Sequence, residues 1–276
     1  MIRIKKQYFL LIICLVFFTG CHNRPVDEPS INTDVEETTL ITQENSYISI
    51  GEEFHLPILA FHHIANAPAG ARANTRQWYI STERFEEILK LLQEQEYTVL
   101  FATEAVTLIK EGHLSEKPVI ITFDDGAVDF YTNAYPLLKK YNIKATVHLM
   151  SGVKSKAWLN ETQIKEMNGS GVVEFQSHTQ YHEYLTRVDK EDVRRELGNS
   201  KKQIEKLTGD PVTVIAYPFG LYNDEVIEVA RELGYEAGFT IDRKTNQKID
   251  NLFQLHRVII TEQTNVEKII TIDDKQ

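Results

Sequence analysis

The chain has 276 residues, with 40 acidic residues against 30 basic ones and a formal net charge of −10. Hydrophobic residues make up 42%, with only 13 Gly and 8 Pro, which excludes collagen-like, low-complexity and polytopic membrane chains. The acidity argues against a general binder of nucleic acid, and two cysteines, Cys14 and Cys21, exclude a disulfide scaffold or a four-cysteine zinc site.

Arg3, Lys5 and Lys6 form a basic start, followed by an apolar run over residues 8–18. That run is shorter than the ~20 residues that span a bilayer and has the length of a signal-peptide core. Phe18-Thr19-Gly20-Cys21 resembles a bacterial lipobox, which implies a signal peptide over residues 1–20 and a lipidated Cys21; an ordinary secretory signal is the alternative. Residues 21–53 read as an acidic tether, with eight acidic residues against Arg24 and no apolar period. The expected setting is extracytoplasmic, anchored to a membrane through Cys21, and the expected state a monomer.

Residues 54–276 read as one domain. Apolar runs over residues 57–61, 97–101, 119–123, 145–150, 172–176, 212–217, 236–240 and 253–260 predict strands, several of them buried on both faces. Between them Phe85, Ile88, Leu89 and Leu92 mark one helix face. Val193, Leu197, Ile204 and Leu207 mark a second, and Val226, Ile227, Ala230 and Leu233, closed by Gly234, a third. This α/β rhythm predicts a distorted or incomplete (β/α) barrel, with chemistry at the carboxyl ends of its strands.

Three strand ends carry chemistry-bearing residues. Asp124-Asp125-Gly126 puts two carboxylates after a buried strand, where they repel unless a cation offsets them. His178 and His182 have a spacing that suits one divalent ion. Asp125, His178 and His182 together make a two-histidine, one-carboxylate set and leave Asp124 free as a base. The third end, Tyr217-Pro218-Phe219-Gly220, is a turn that offers a backbone N–H and an aromatic wall.

Thr122-Phe123-Asp124-Asp125-Gly126, then His178-Thr179 with His182, then Tyr217-Pro218-Phe219-Gly220 resemble, in order and spacing, the NodB-type polysaccharide deacetylases, carbohydrate esterase family 4. The resemblance spans roughly residues 55–262. It implies a hydrolase that removes N-acetyl groups from a glycan with Asp124 as catalytic base. A single divalent ion sits on Asp125, His178 and His182, zinc first and nickel, cobalt or iron after it. The oxyanion is then met near Tyr217 and its turn.

Two positions depart from the family pattern. Ala216 stands where the family has an arginine that orients the base, and Arg257 stands where it has an acidic-proton donor histidine. We therefore expect Arg257 to replace the missing arginine. Leu-Ala-Phe-His62-His63 resembles the start of the poly-N-acetylglucosamine deacetylase branch, which implies His62 as the general acid, with His63 in reserve. His256, one residue before Arg257, would face the other way in an extended strand. Poly-N-acetylglucosamine is the first substrate expectation, with peptidoglycan and chitin next. The rivals are an O-acetyl xylan esterase and a glycan-binding lipoprotein with a degenerate site.

Overall fold

The computed structural model describes residues 47–271; Cys21, the leader and residues 22–46 lie outside the described residues. Eight parallel strands form the main sheet: β1 (Ile58–Phe61), β2 (Thr98–Leu100), β3 (Pro118–Phe123), β4 (Ala145–Leu149), β5 (Val173–Ser177), β6 (Val214–Ala216), β7 (Ala237–Phe239) and β8 (Val258–Ile259). Their order is β7-β6-β5-β4-β3-β1-β8, and β2 lies alongside β3. One edge of β3 carries β1; on the other edge β2 takes Pro118 to Ile120 and β4 takes Thr122 and Phe123. A bridge between Phe239 and Leu255 brings the two ends of the order together, so the sheet curls into a distorted barrel, as expected.

Helices cover the outside. They are α1 (Thr82–Glu94), α2 (Ala102–Lys110), α3 (Tyr135–Tyr141), α4 (Glu161–Asn168), α5 (Lys190–Thr208) and α6 (Asp224–Glu232). Their starts are set by side-chain caps: Ser81 accepts from Arg84 N–H, Asp189 from Asp192 N–H and Asn223 from Val226 N–H, while Asn160 and Gln163 cap each other. The apolar faces read from the sequence are buried, with Phe85, Ile88, Leu89 and Leu92 all closed off from solvent.

Alternation along the strands decides what reaches the barrel mouth. Leu59, Phe61, Ile121 and Phe123 belong to the apolar layer under the helices, whereas Ile58, Ile120, Val214, Ala216 and Phe239 form a separate inner cluster. Counting by twos from Ile58 leads through Ala60 to His62, and from Ile120 through Thr122 to Asp124. The same count places His178 above Gln176. The inner face of the barrel thus delivers polar groups from several strands to one end.

Two expectations need correction. The tether was expected to run to residue 53, but Tyr47–Ser49 pairs antiparallel with His113–Ser115, and Glu53–His55 pairs with Asn246–Lys248. The side chains of Tyr47–Ser49 are exposed, so backbone pairing holds this segment and no apolar period announces it. The run 253–260 was expected as one strand. Ile249–Gln254 is instead a 3₁₀ turn, and only Val258–Ile259 is a strand. The segment bridges β7 at Leu255 and β1 from Val258 onward, and the change of partner breaks the ladder. Among the described residues no helix is long and apolar enough to cross a membrane.

Candidate active site

Asp124 follows β3 directly and is buried. The fully buried Arg257 grips it with both arms: Nη1 donates to Oδ1 at 2.7 Å and Nη2 to Oδ2 at 2.8 Å. Arg257 is itself held, Nε donating to the Thr240 carbonyl at 3.0 Å and Nη1 to Thr122 Oγ1 at 3.1 Å. Burial pushes the Asp124 carboxyl up, but the Arg257 charge and the two hydrogen bonds it donates outweigh it. They hold the group well below the usual carboxylate range. Arg257 therefore meets Asp124 from the segment before β8, whereas Ala216 lies on β6.

Asp125 has the opposite environment. Burial, then the neighbouring Asp124 charge, push it up to about 7. Its Oδ1 is buried without a hydrogen-bond partner and lies 3.5 Å from His178 Nε2 and 3.8 Å from His182 Nε2. The ligand-type atoms of Asp125, His178 and His182 all lie within 4.8 Å of one another. His178 Nδ1 donates to the Ala216 carbonyl at 2.7 Å, which leaves Nε2 as the free lone pair toward Asp125. Burial holds His178 down to about 3 and also lowers His182, so both imidazoles are neutral. A half-buried carboxylate whose shielded Oδ1 has no partner and faces two neutral nitrogens fits a divalent cation.

The loops that carry these groups are backbone-strained. Asp125, Thr179, His182 and Phe219 all have positive φ, between 60° and 72°. Such strain clusters where surrounding structure fixes a functional geometry. Gly126, at φ 85°, has no room for a side chain, since a Cβ would lie 2.6 Å from Leu149 Cδ2. Glu196 on α5 steadies the histidine loop by accepting from Gln180 N–H at 3.0 Å and Tyr181 N–H at 2.8 Å.

A cavity of about 280 Å³ opens over Asp124, Asp125, His178 and His182, with His62 and His63 on one side and Phe219 on another. His62 is half-buried, its Nδ1 is closed off with no partner, and its ring tilts against Trp78 at 4.4 Å. Burial brings it down to about 4. His63 points Nδ1 at Asp129 Oδ2 at 2.7 Å and stacks on Tyr79. His256 pairs with Asp242 at 3.1 Å and does not line the cavity.

The Tyr217 turn spends most of its backbone donors on carbonyls. Tyr217 N–H donates to the Phe239 carbonyl at 3.1 Å and Gly220 N–H to the Tyr217 carbonyl at 2.9 Å, while Pro218 has no N–H. Tyr217 itself therefore has no free N–H for an oxyanion, and its ring is buried beside Tyr222. Phe219 is the aromatic wall. It is partly exposed, stacks on Tyr184 at 3.8 Å and meets the His182 ring edge-on at 4.5 Å.

Sequence reasoning did not bring Tyr79, Asp129 or Glu196 to the site. Only Glu196 left a trace, as an acidic residue on the apolar face set by Val193 and Leu197.

A parallel barrel with a carboxylate–histidine cluster and a clamped second carboxylate at its strand ends defines a hydrolase-type site. Comparison with known proteins then fixes the family. Residues 111–238 match the polysaccharide deacetylase family. The chain is 33% identical over 219 residues to the Bacillus subtilis (strain 168) protein YxkH, whose name assigns it to the polysaccharide deacetylases; 79% of this chain and 75% of that one are covered. It is 28% identical over 201 residues to the poly-β-1,6-N-acetyl-D-glucosamine N-deacetylase of Staphylococcus aureus (strain MRSA252), with 68% and 69% covered. It superimposes on the Streptococcus pyogenes deacetylase PplD in complex with acetate with a TM-score of 0.73 at 31% identity, covering 79% of this chain and 99% of that one. The chain belongs to the NodB-type polysaccharide deacetylases.

Proposed function

We propose that this protein is a metal-dependent N-deacetylase of an N-acetylglucosamine polymer, poly-N-acetylglucosamine first, with peptidoglycan and chitin next. The observation that carries the reading is the pairing of opposites at Asp124 and Asp125: one carboxylate clamped by Arg257, the other unpartnered between two neutral histidines. A divalent ion, zinc first, held by Asp125, His178 and His182 would supply a Lewis acid for the amide carbonyl and would acidify the attacking water. Asp124 is the base. Arg257 keeps it ionised and fixes both of its oxygens, so it takes a water proton without losing its orientation.

His62 is the general acid. Burial keeps it neutral at rest, so it takes up a proton from solvent as substrate binds and then gives that proton to the departing amine. His63, engaged with Asp129, serves the site by stacking and position. In the Tyr217 turn, the N–H not spent on a carbonyl is that of Phe219, and it is the donor left for a developing oxyanion. Acetate and a free sugar amine are the products.

The substrate order follows the Staphylococcus aureus relative and the His62-His63 segment. The lipobox-like Phe18-Thr19-Gly20-Cys21 supports an extracytoplasmic protein anchored through Cys21. The test is acetate release from poly-N-acetylglucosamine, chitin oligomers, peptidoglycan and acetylated xylan. Release from an N-acetylated glycan, abolished in Asp124→Asn, is expected. Release from xylan alone would make it an ester hydrolase, and glycan binding with no release would favour the binding-protein reading.

A further inference from the structure

The two histidines that face Asp125 are oriented by different means. His178 is fixed in the usual way for a metal-ligating imidazole, its Nδ1 donating to the Ala216 carbonyl at 2.7 Å. His182 lacks that support. Its backbone N–H donates to Thr179 Oγ1 at 2.9 Å and its Nε2 lies 3.8 Å from Asp125 Oδ1, but among the described residues no hydrogen bond from another residue reaches its ring. The side chain is partly exposed and its backbone is at φ 62°, so burial alone does not fix the imidazole.

Rings hold it instead. The His182 imidazole meets the His178 ring at 4.8 Å and 67°, and the Phe219 ring at 4.5 Å and 71°. Phe219 is itself partly exposed and sits at φ 60°, a conformation that an aromatic residue keeps only where its surroundings impose it. Tyr184 supplies part of that constraint: its ring lies on Phe219 at 3.8 Å with 6° between the planes. The Arg187 guanidinium is 4.3 Å from the centre of the Tyr184 ring, and with Phe219 on one face the cation takes the other. Two aromatic rings face to face repel through their quadrupoles. A cation on the outer face draws that electron density away, so Arg187 makes the parallel stack tenable. The base of the stack is firm. Leu185 is buried, Arg187 N–H donates to the Tyr184 carbonyl at 2.8 Å, and Gly220 packs so closely on Ile241 that a Cβ there would collide with its side chain.

We infer that Tyr184, backed by Arg187, is a positioning residue: it orients Phe219 and, through Phe219, the imidazole of His182. The inference rests on the metal-dependent reading above, in which His182 is a ligand. The stack does for His182 what the Ala216 carbonyl does for His178. Tyr184, Arg187 and Phe219 give no atom to the ion, so their contribution appears in how tightly it is held. An imidazole ordered before the ion arrives loses less side-chain freedom on binding it.

The test uses the whole chain, metal-depleted, with zinc titrated in competition with a chromogenic chelator. Outer-shell losses weaken a metal by about 10–100-fold, and Tyr184→Leu, which keeps apolar bulk but removes the flat face, is expected near the lower end, at about tenfold. Tyr184→Phe keeps the stack and restores wild-type affinity. Phe219→Leu removes the other ring and loses as much as Tyr184→Leu, and the double variant loses no more than either single one, because the two rings act as a unit. Helix content stays that of wild type throughout; should Tyr184→Leu fail to fold, Tyr184→Met takes its place with the same expectation. Unchanged affinity in Tyr184→Leu, an equal loss in Tyr184→Phe, or single losses that multiply in the double variant would each overturn the inference while leaving the metal site intact. His182→Ala is the reference. Wild-type zinc binding there would mean that His182 is no ligand, so the metal reading fails and the stack inference falls with it. Zinc lost in His182→Ala and kept in Tyr184→Leu overturns the stack inference alone.

Discussion

Two oxygens of Asp124 meet two nitrogens of Arg257, and that pairing governs both stability and chemistry at the site. Removing one partner of a buried ion pair leaves an uncompensated charge, which costs about 3–5 kcal/mol. Arg257→Met is therefore expected to lower unfolding free energy by about that amount and to abolish turnover. Adding Asp124→Asn should recover much of the stability and none of the activity, a contrast that denaturant titration and acetate assay read together. The arginine was legible in the sequence as a substitution late in the chain, because Ala216 left its usual place vacant. Its contact with Thr122 was not legible, since it depends on β8 lying beside β1.

His62 gives a pH signature at the same scale. Its folded value of about 4 lies below the unfolded 6.5, so the unfolded chain binds the proton more readily between those limits. Its contribution is fully present above pH 6.5 and is lost as pH falls toward about 4, a difference of about 3 kcal/mol from a shift of this size. His62→Gln is expected to flatten the stability–pH curve in that window. An unchanged curve would mean the ring is not held neutral by burial.

Among the elements, α5 does more than cover the barrel. Its apolar face was visible from Val193, Leu197 and Ile204, but Glu196 on that face accepts two N–H groups from the histidine loop. Glu196→Ala leaves those donors buried without partners and frees the loop. Outer-shell losses of this kind typically cost 10–100-fold in metal affinity. Zinc competition against a chromogenic chelator should show a loss of that size with the helix content unchanged. Unaltered affinity would separate α5 from the site. The strands and their polar ends were readable because continuous apolar runs of five or six residues have few alternatives. The placement of Trp78 and Tyr79 was not, because a two-residue ladder between His63–Ile64 and Tyr79–Ile80 brings them in, and so short a pairing leaves no periodic trace.

At the scale of the molecule, the barrel draws Asp124 and Asp125 from β3, His178 and His182 from the loop after β5, His62 from β1 and Arg257 from the segment before β8. Only the curled sheet unites groups so far apart in the chain. The central claim is that this union is a metal-dependent deacetylase centre on Asp125, His178 and His182. The most direct measurement titrates the metal-depleted protein with zinc while following acetate release from poly-N-acetylglucosamine. Activity is expected to be absent without metal, to rise in proportion to added zinc and to level off at one equivalent per chain, and to stay absent in His178→Ala. Full release from the metal-depleted protein, or an unchanged titration in His178→Ala, would contradict the account.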